Sequence, residues 1–446
     1  MRREKILIFI ISILVIILFL NFRDFKREKK VFKKNPKFLN LVFNVKPKSN
    51  YLEDEILVKF KPSVSFDHVE AIVSSYQTKK VKRIPRINVY VLKISSEYSV
   101  EEMVKAFQDN PYVEFAEPNY IAHITITPND DFFDYQYALH NKGQEVSPGG
   151  PSGKVDADIN APEAWDEEKG KEDVIIAIID TGIDLNHPDL KNKIYSSGYD
   201  FANNDPIAQD DHGHGTHCAG IVSADTNNKE GIAGVAWNCK LLPVKVMDKE
   251  GYGKYSWISE GIIWASAQGA DIINLSLGGE FPSDTLRAAL QYAYNKGIVI
   301  IAAAGNEGKA VLYPAAYDEY CLAVAATDYN DLRVSFLTYS WESNFGPEID
   351  VSAPGVMILS TYPVSLTPSG YLPYAWGSGT SMAAPHVAGL AALLKSLKPW
   401  LTVKQIMDVI RYTCDDINSG SYPGKDDYLG YGRINMEKAI VPIILK

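Results

Sequence analysis

Ser381 stands near the start of a run, Gly379 to Gly389, that reads as the first turns of an apolar helix. A serine in that position can attack a carbonyl carbon. Gly377 and Gly379 let the backbone turn sharply into the helix, and the small Ala383 and Ala384 let its first turns approach another surface closely. The free N–H groups and the dipole of a helix start favour negative charge on a carbonyl oxygen held beside Ser381. The same motif alone also describes an ordinary capping serine, so the reading depends on what else the chain supplies.

A serine hydroxyl is a weak nucleophile at neutral pH and needs an imidazole to take its proton and a carboxylate to orient that imidazole. Asp180 ends the apolar run Val174 to Ile179, which reads as a strand buried on both faces, and Thr181 and Gly182 follow it. A carboxylate there lies at the carboxyl edge of a parallel sheet, where ligands bind. His214 opens His-Gly-Thr-His-Cys-Ala-Gly, a second glycine-flanked helix start; His212 and His217 lack the Gly-Thr that begins the helix. The three histidines read as a metal cluster would need a matched carboxylate motif, which is missing. Asp180-Thr181-Gly182 also matches the aspartic-protease signature, but that chemistry needs two such motifs and one occurs.

The chain order Asp180, His214, Ser381 is one in which such triads recur. From Thr127 to the C-terminus the sequence resembles the subtilisin family of serine endopeptidases, in particular its thermitase-like branch. The resemblance implies Asp180 as the acid, His214 as the base and Ser381 as the nucleophile. It implies that Asn306, after the apolar run Ile298 to Ala304 and Gly305, donates to the oxyanion together with the Ser381 backbone N–H. An inactive relative kept as a binding module would be expected to lack one of these four residues, and all are present.

The resemblance implies that two edges sandwich an extended peptide as an added strand: Ser276, Leu277 and Gly278 after the strand Asp271 to Leu275, and the segment with Gly251 and Gly253. Tyr255, Ile258 and Leu277 are implied to line one apolar subsite, with Met247 near another, while Ala303, Ala304 and Gly305 wall the pocket beside the scissile bond. Leu312, before Tyr313-Pro314, departs from the smaller or polar residue of many relatives. At the pocket floor it would exclude very large aromatic side chains, and Glu307 at the rim would favour a basic one.

Calcium is the implied cofactor. Thr127-Pro128-Asn129-Asp130 resembles an N-terminal arm that supplies the carboxylate of Asp130; Asp189 is the second, and the loop from Asp225 through Asn228 and Glu230 to Ile232 supplies further oxygens. A second site is implied at Asp200, Asp205 and Gln209. Cys218, Cys239, Cys321 and Cys414 lack the paired spacing of a zinc site. They permit three full pairings, and Cys218 resembles a buried free cysteine of the thermitase-like branch.

Residues 1–22 are basic and then apolar and read as a signal peptide or membrane anchor, both of which fit; 23–50 form a basic linker. Residues 51–124 carry short strands, Glu55 to Phe60 and Val89 to Ile94, and helices, Phe66 to Tyr76 and Val100 to Asn110, the latter with a capping box from Ser99 to Glu102. Val113 to Tyr120 resembles the terminal strand of subtilisin propeptides. The expected architecture is therefore an α/β doubly wound parallel sheet over 125–446, preceded by a small ferredoxin-like α+β prodomain that acts as intramolecular inhibitor and is cut off between Tyr120 and Thr127. Through Ile124 there are 22 basic and 14 acidic residues, and beyond it 23 and 41. The acidic remainder excludes nucleic-acid binding. The expectation is a monomeric, self-activated endopeptidase acting on proteins or peptides outside the cell, secreted or tethered.

Overall fold

The computed structural model describes residues 51–120 and 127–444. The expected leader and linker, and the expected cleavage segment at 121–126, lie outside them.

The N-terminal unit runs β1 (Tyr51–Phe60), α1 (Phe66–Ser75), β2 (Lys79–Ile84), β3 (Val89–Lys93), α2 (Val100–Gln108) and β4 (Val113–Tyr120). Its strands form an antiparallel sheet in the order β2-β3-β1-β4. Alternation sends Ile56, Val58 and Phe60 into one core with Tyr90, Leu92, Met103 and Phe107. Ser65 caps α1, and Ser99 and Glu102 form the expected capping box at α2 with bonds of 3.2 and 2.9 Å. The sequence reading omits β2, whose Lys-Lys-Val-Lys-Arg-Ile carries too much charge to suggest a strand; it is an exposed edge, where charge is tolerated and discourages pairing with other chains.

The second unit continues with α3 (Ala161–Trp165), β5 (Ile175–Asp180), β6 (Tyr199–Asp200), α4 (His214–Ser223), β7 (Lys240–Lys245), α5 (Tyr255–Ala267), β8 (Ile272–Leu275), α6 (Asp284–Asn295), β9 (Val299–Ala303), β10 (Cys321–Thr327) and β11 (Ile349–Pro354). It closes with β12 (Ile358–Thr361), β13 (Tyr374–Gly377), α7 (Thr380–Leu397), α8 (Val403–Tyr412) and α9 (Met436–Ile444). Seven strands form a parallel sheet in the order β11-β10-β9-β8-β5-β7-β6, and β12 and β13 pair as a separate antiparallel ribbon.

Both faces of this sheet are covered, as its unbroken apolar strands require. Ile176 and Ile178 of β5 face a core with α4 and α7, while Ile175, Ala177 and Ile179 face a second core with α5 and α6. From β5 the chain crosses to β6 at the sheet edge, returns with β7 between the two and then places β8 on the other side of β5. That reversal opens a crevice at the carboxyl end of β5. The strand ends on Asp180, one residue later than its apolar run. Among the described residues, no helix is long and apolar enough to cross a membrane.

Candidate active site

Asp180 and His214 meet in that crevice, with His214 Nδ1 2.8 Å from Asp180 Oδ1. The same oxygen accepts the Thr181 N–H at 2.7 Å, which fixes the carboxylate from its own chain. Asp180 is buried, whereas the His214 side chain keeps 28 % of its surface exposed. Burial opposes charging of the imidazole, but the Asp180 carboxylate outweighs it and holds His214 above the ordinary histidine range. His214 is the first residue of α4, entered through Gly213 at φ 106°, a conformation suited to glycine.

Ser381 occupies the second position of α7, with its hydroxyl donating to the Ser276 carbonyl at 3.1 Å. Pro385 lies four residues on, inside the helix, and has no N–H to give the Ser381 carbonyl. That carbonyl instead accepts the Ser276 hydroxyl at 2.9 Å and the Cys218 thiol at 3.4 Å. A proline thereby ties the serine to the β8 edge and to the helix that carries His214. Burial pushes the Cys218 thiol up, so it stays a neutral donor. Asp180, His214 and Cys218 cluster tightly, but the shared Nδ1 and this committed thiol suit proton chemistry better than a cation. His217 turns away to the Ala375 carbonyl, 3.0 Å distant, and burial lowers it to about 4.

The loop after β9 brings Asn306 to the same place. Its Oδ1 accepts the Thr380 N–H at 2.8 Å and the Thr380 hydroxyl at 3.1 Å, which leaves its amide nitrogen as the free donor end. A Cβ at Gly379 would lie 3.6 Å from the Asn306 amide and 3.7 Å from the Ser381 nitrogen, filling the space between the two donors. Buried Asn344 braces the loop: it accepts the N–H groups of Glu307 and Lys309 and donates to the Ala304 and Ala310 carbonyls.

Of the two expected substrate edges, the one with Ser276 bonds Ser381 directly, and a Cβ on Gly251 of the other would lie 3.1 Å from His212. Gly251 and Gly253 lie in a turn where a Cβ on Gly253 would strike Met247 Sδ at 2.4 Å. Tyr255 donates to the Phe281 carbonyl, and Ile258 and Leu277 are buried side by side in one core. Ala303 and Ala304 are buried, and Leu312 N donates to the Ala304 carbonyl. The Leu312 side chain fills the space between Gly278 and Gly305, since a Cβ on either would approach it within 2.8 Å. Glu307 is exposed and uses one oxygen to accept the Asn306 N–H and the Asn344 amide.

Beyond the C-terminal end of α4, Asp130 accepts the N–H groups of Asn227 and Asn228, and Asp189 accepts from the Asn228 amide and the Ile232 N–H. Both carboxylates are buried and neither has a basic partner among the described ion pairs. Burial raises Asp130, and raises Asp189 to about 7. Two enclosed carboxylates without a counter-charge, beside an oxygen-rich loop, fit a calcium ion. Asp225 instead faces Asn192 at 2.8 Å, and Glu230 lies exposed at the rim. At the second expected site, Asp200 binds Asn203, Asp205 accepts the Ile207 N–H, and Gln209 is committed to Leu185 and Asp184. All four cysteines are free.

Sequence reading missed Asn344 and Asp210, whose signals are single polar letters in loops, and gave no role to Thr380, which opens α7 beside the nucleophile. It also gave no role to Pro385, although a proline four residues after a candidate nucleophile is a readable signal, because it removes the helical donor to that residue's carbonyl.

A buried acid, the half-buried base it orients and a serine at the start of α7 define the class of Ser-His-Asp hydrolases in which the acid comes first along the chain. The chain belongs to the subtilase family, whose profile matches residues 171–432, and it is a subtilisin-type serine endopeptidase. The profile of the fervidolysin N-terminal prodomain matches residues 40–119. A thermophilic serine proteinase of Bacillus sp. (strain AK1) is 40 % identical over 91 % of this chain and 92 % of its own. Thermitase of Thermoactinomyces vulgaris is 45 % identical over 70 % of this chain and 99 % of its own. Among solved structures, fervidolysin from Fervidobacterium pennivorans, described as a keratinolytic enzyme, aligns with a TM-score of 0.56 at 29 % identity, covering 88 % of this chain and 62 % of that one.

Proposed function

We propose that this serine endopeptidase works through Ser381, His214 and Asp180, with Asn306 as oxyanion donor. The 2.8 Å contact of His214 Nδ1 with Asp180 carries the assignment, because it orients the imidazole and leaves Nε2 to exchange a proton. A peptide entering as an added strand takes the Ser276 carbonyl with its own N–H and releases the Ser381 hydroxyl to His214. Ser381 Oγ then bonds to the scissile carbonyl carbon as its proton passes to His214. The Asn306 amide and the Ser381 N–H stabilise the oxyanion, and His214 returns the proton to the departing amine. Water resolves the acyl-enzyme by the same steps.

Residues 51–124 serve as an inhibitor removed by this site in a cut between Tyr120 and Thr127, giving a mature domain over 125–446. The acidic mature domain acts on proteins or peptides outside the cell as a monomer. Asp130, Asp189, Asn228 and the Ile232 segment hold calcium, which supplies the positive charge that the paired carboxylates lack. Asp225 and Glu230 complete its acidic surroundings, and Asp200, Asp205 and Gln209 form a weaker second site.

Leu312 narrows the pocket beside the scissile bond, so small and medium side chains are preferred there. Leu312→Gly should raise kcat/KM for phenylalanine relative to alanine at this position at least about tenfold, since each missing methylene contact is worth roughly 1–3 kcal/mol. Intact mass of the full chain and of Ser381→Ala tests the whole reading. Removal of the N-terminal segment in the wild type alone is expected, and two full-length folded products would overturn self-processing by Ser381.

A further inference from the structure

Asp210 is the buried carboxylate nearest the triad that the mechanism above leaves without a task. It is 2 % exposed and has no basic side chain as partner among the described ion pairs. Five donors converge on it. Oδ1 accepts the Thr181 hydroxyl and the N–H groups of His212 and Gly213, each at 2.9 Å. Oδ2 accepts the Thr216 N–H at 2.9 Å and the Thr216 hydroxyl at 2.5 Å.

These donors come from two elements. Thr181 follows Asp180 at the end of β5, and its own N–H holds the Asp180 carboxylate. His212, Gly213 and Thr216 surround His214 at the start of α4, where the capping position is a glycine with no side chain to offer. The Thr181 hydroxyl closes the ring by accepting the Gly215 N–H at 2.9 Å. Below it, the buried Lys245 ammonium donates to the Thr181 carbonyl at 3.0 Å. The hydroxyl thus gives one bond to Asp210 and receives one from the helix.

We propose that Asp210 is a positioning residue that locks the strand end bearing Asp180 to the helix start bearing His214, so that Nδ1 stays on Asp180 while the imidazole shuttles its proton. The proposal rests on the triad assignment above. A carboxylate is required because only two acceptor oxygens without hydrogens satisfy five donors. An amide would point an NH2 group at Thr216 or at the other three. Charge matters as well: a helix start is electropositive and disfavours the imidazolium that forms during acylation, and a carboxylate there offsets it. Misplacement of a catalytic group by about 1 Å costs on the order of a hundredfold in rate.

The test compares wild type, Asp210→Asn, Thr181→Val and Thr181→Ser, all expressed from the full chain. Reactive sites are counted by mass after labelling with phenylmethylsulfonyl fluoride, kcat and KM are measured on a peptide nitroanilide, and the downfield proton resonance of the His214 Nδ1 hydrogen bond is recorded. Asp210→Asn should lower kcat about ten- to a hundredfold with KM within twofold, and shift or broaden the resonance. Thr181→Val, which removes only the link, should change kcat in the same direction, and Thr181→Ser, which keeps the hydroxyl, should restore it. If Asp210→Asn does not fold, the two Thr181 variants decide the matter. Label on Ser381 in the wild type with kcat per labelled site unchanged in the variants would overturn the bridge alone. No label on Ser381 in the wild type would overturn the triad assignment and the bridge with it.

Discussion

Four buried aspartates divide into two pairs that the fold treats differently. Asp180 and Asp210 face an imidazole, two threonine hydroxyls and backbone N–H groups, so the folded chain itself answers their charge. Asp130 and Asp189 receive backbone and amide hydrogens but no basic side chain among the described ion pairs, and burial leaves Asp189 at about 7. A carboxylate enclosed without positive charge costs stability until something binds it. The crevice is self-sufficient, whereas the loop beyond the C-terminal end of α4 encloses two carboxylates without positive charge, the setting proposed above for calcium.

The largest effect should come from breaking the first pair. Asp180→Asn is expected to lower kcat by about ten-thousandfold, as amidation does in other triads, through loss of the correct tautomer. It should also move the acid limb of the kcat/KM profile. His214 must be neutral to accept the Ser381 proton, and Asp180 raises the pH at which it loses its own. Wild-type activity therefore falls as pH drops through that raised value, and Asp180→Asn should shift the fall to lower pH. An unmoved limb would mean that Asp180 does not govern the imidazole.

The second pair predicts a change in stability in place of rate. Calcium at a thousandfold excess over its Kd should add about 4 kcal/mol, read as a rise in Tm over the chelated protein. Asp189 supplies a pH signature for this. Its folded value lies above its ordinary one, so the chelated protein should lose stability as pH rises from about 4 to about 7. Calcium should flatten that slope, and a slope identical with and without calcium would place the ion elsewhere. The smallest effect is expected at the rim: Asp225→Asn should change Tm under chelation by less than the equivalent of about 0.5 kcal/mol.

How far the residues could be read in advance follows the reach of each signal. The run Val174 to Ile179 announces a strand buried on both faces, and the alternation of Ile56, Val58 and Phe60 announces a sheet with one covered side. Ser99 and Glu102 declare their helix start through a local pattern, and the structure reproduces it. The edge strand Lys79–Ile84 stays hidden because its pairing partner, and not its composition, makes it a strand. The expected roles of Asp225 and Glu230 are implied by the resemblance of their loop to that of thermitase-like relatives, and a resemblance along the chain is silent about the direction a side chain takes.

The sequence by itself determined the buried strands, the helix starts and the order of the reactive residues, since hydrophobic period and caps are properties of neighbours along the chain. Only the tertiary structure decided that Asp210 joins Thr181 to α4, that Leu312 fills the gap between Gly278 and Gly305, and that the Ser381 carbonyl reaches Cys218. These contacts join segments far apart in the chain. Their energies depend on distance and direction in space, which no local pattern of residues encodes.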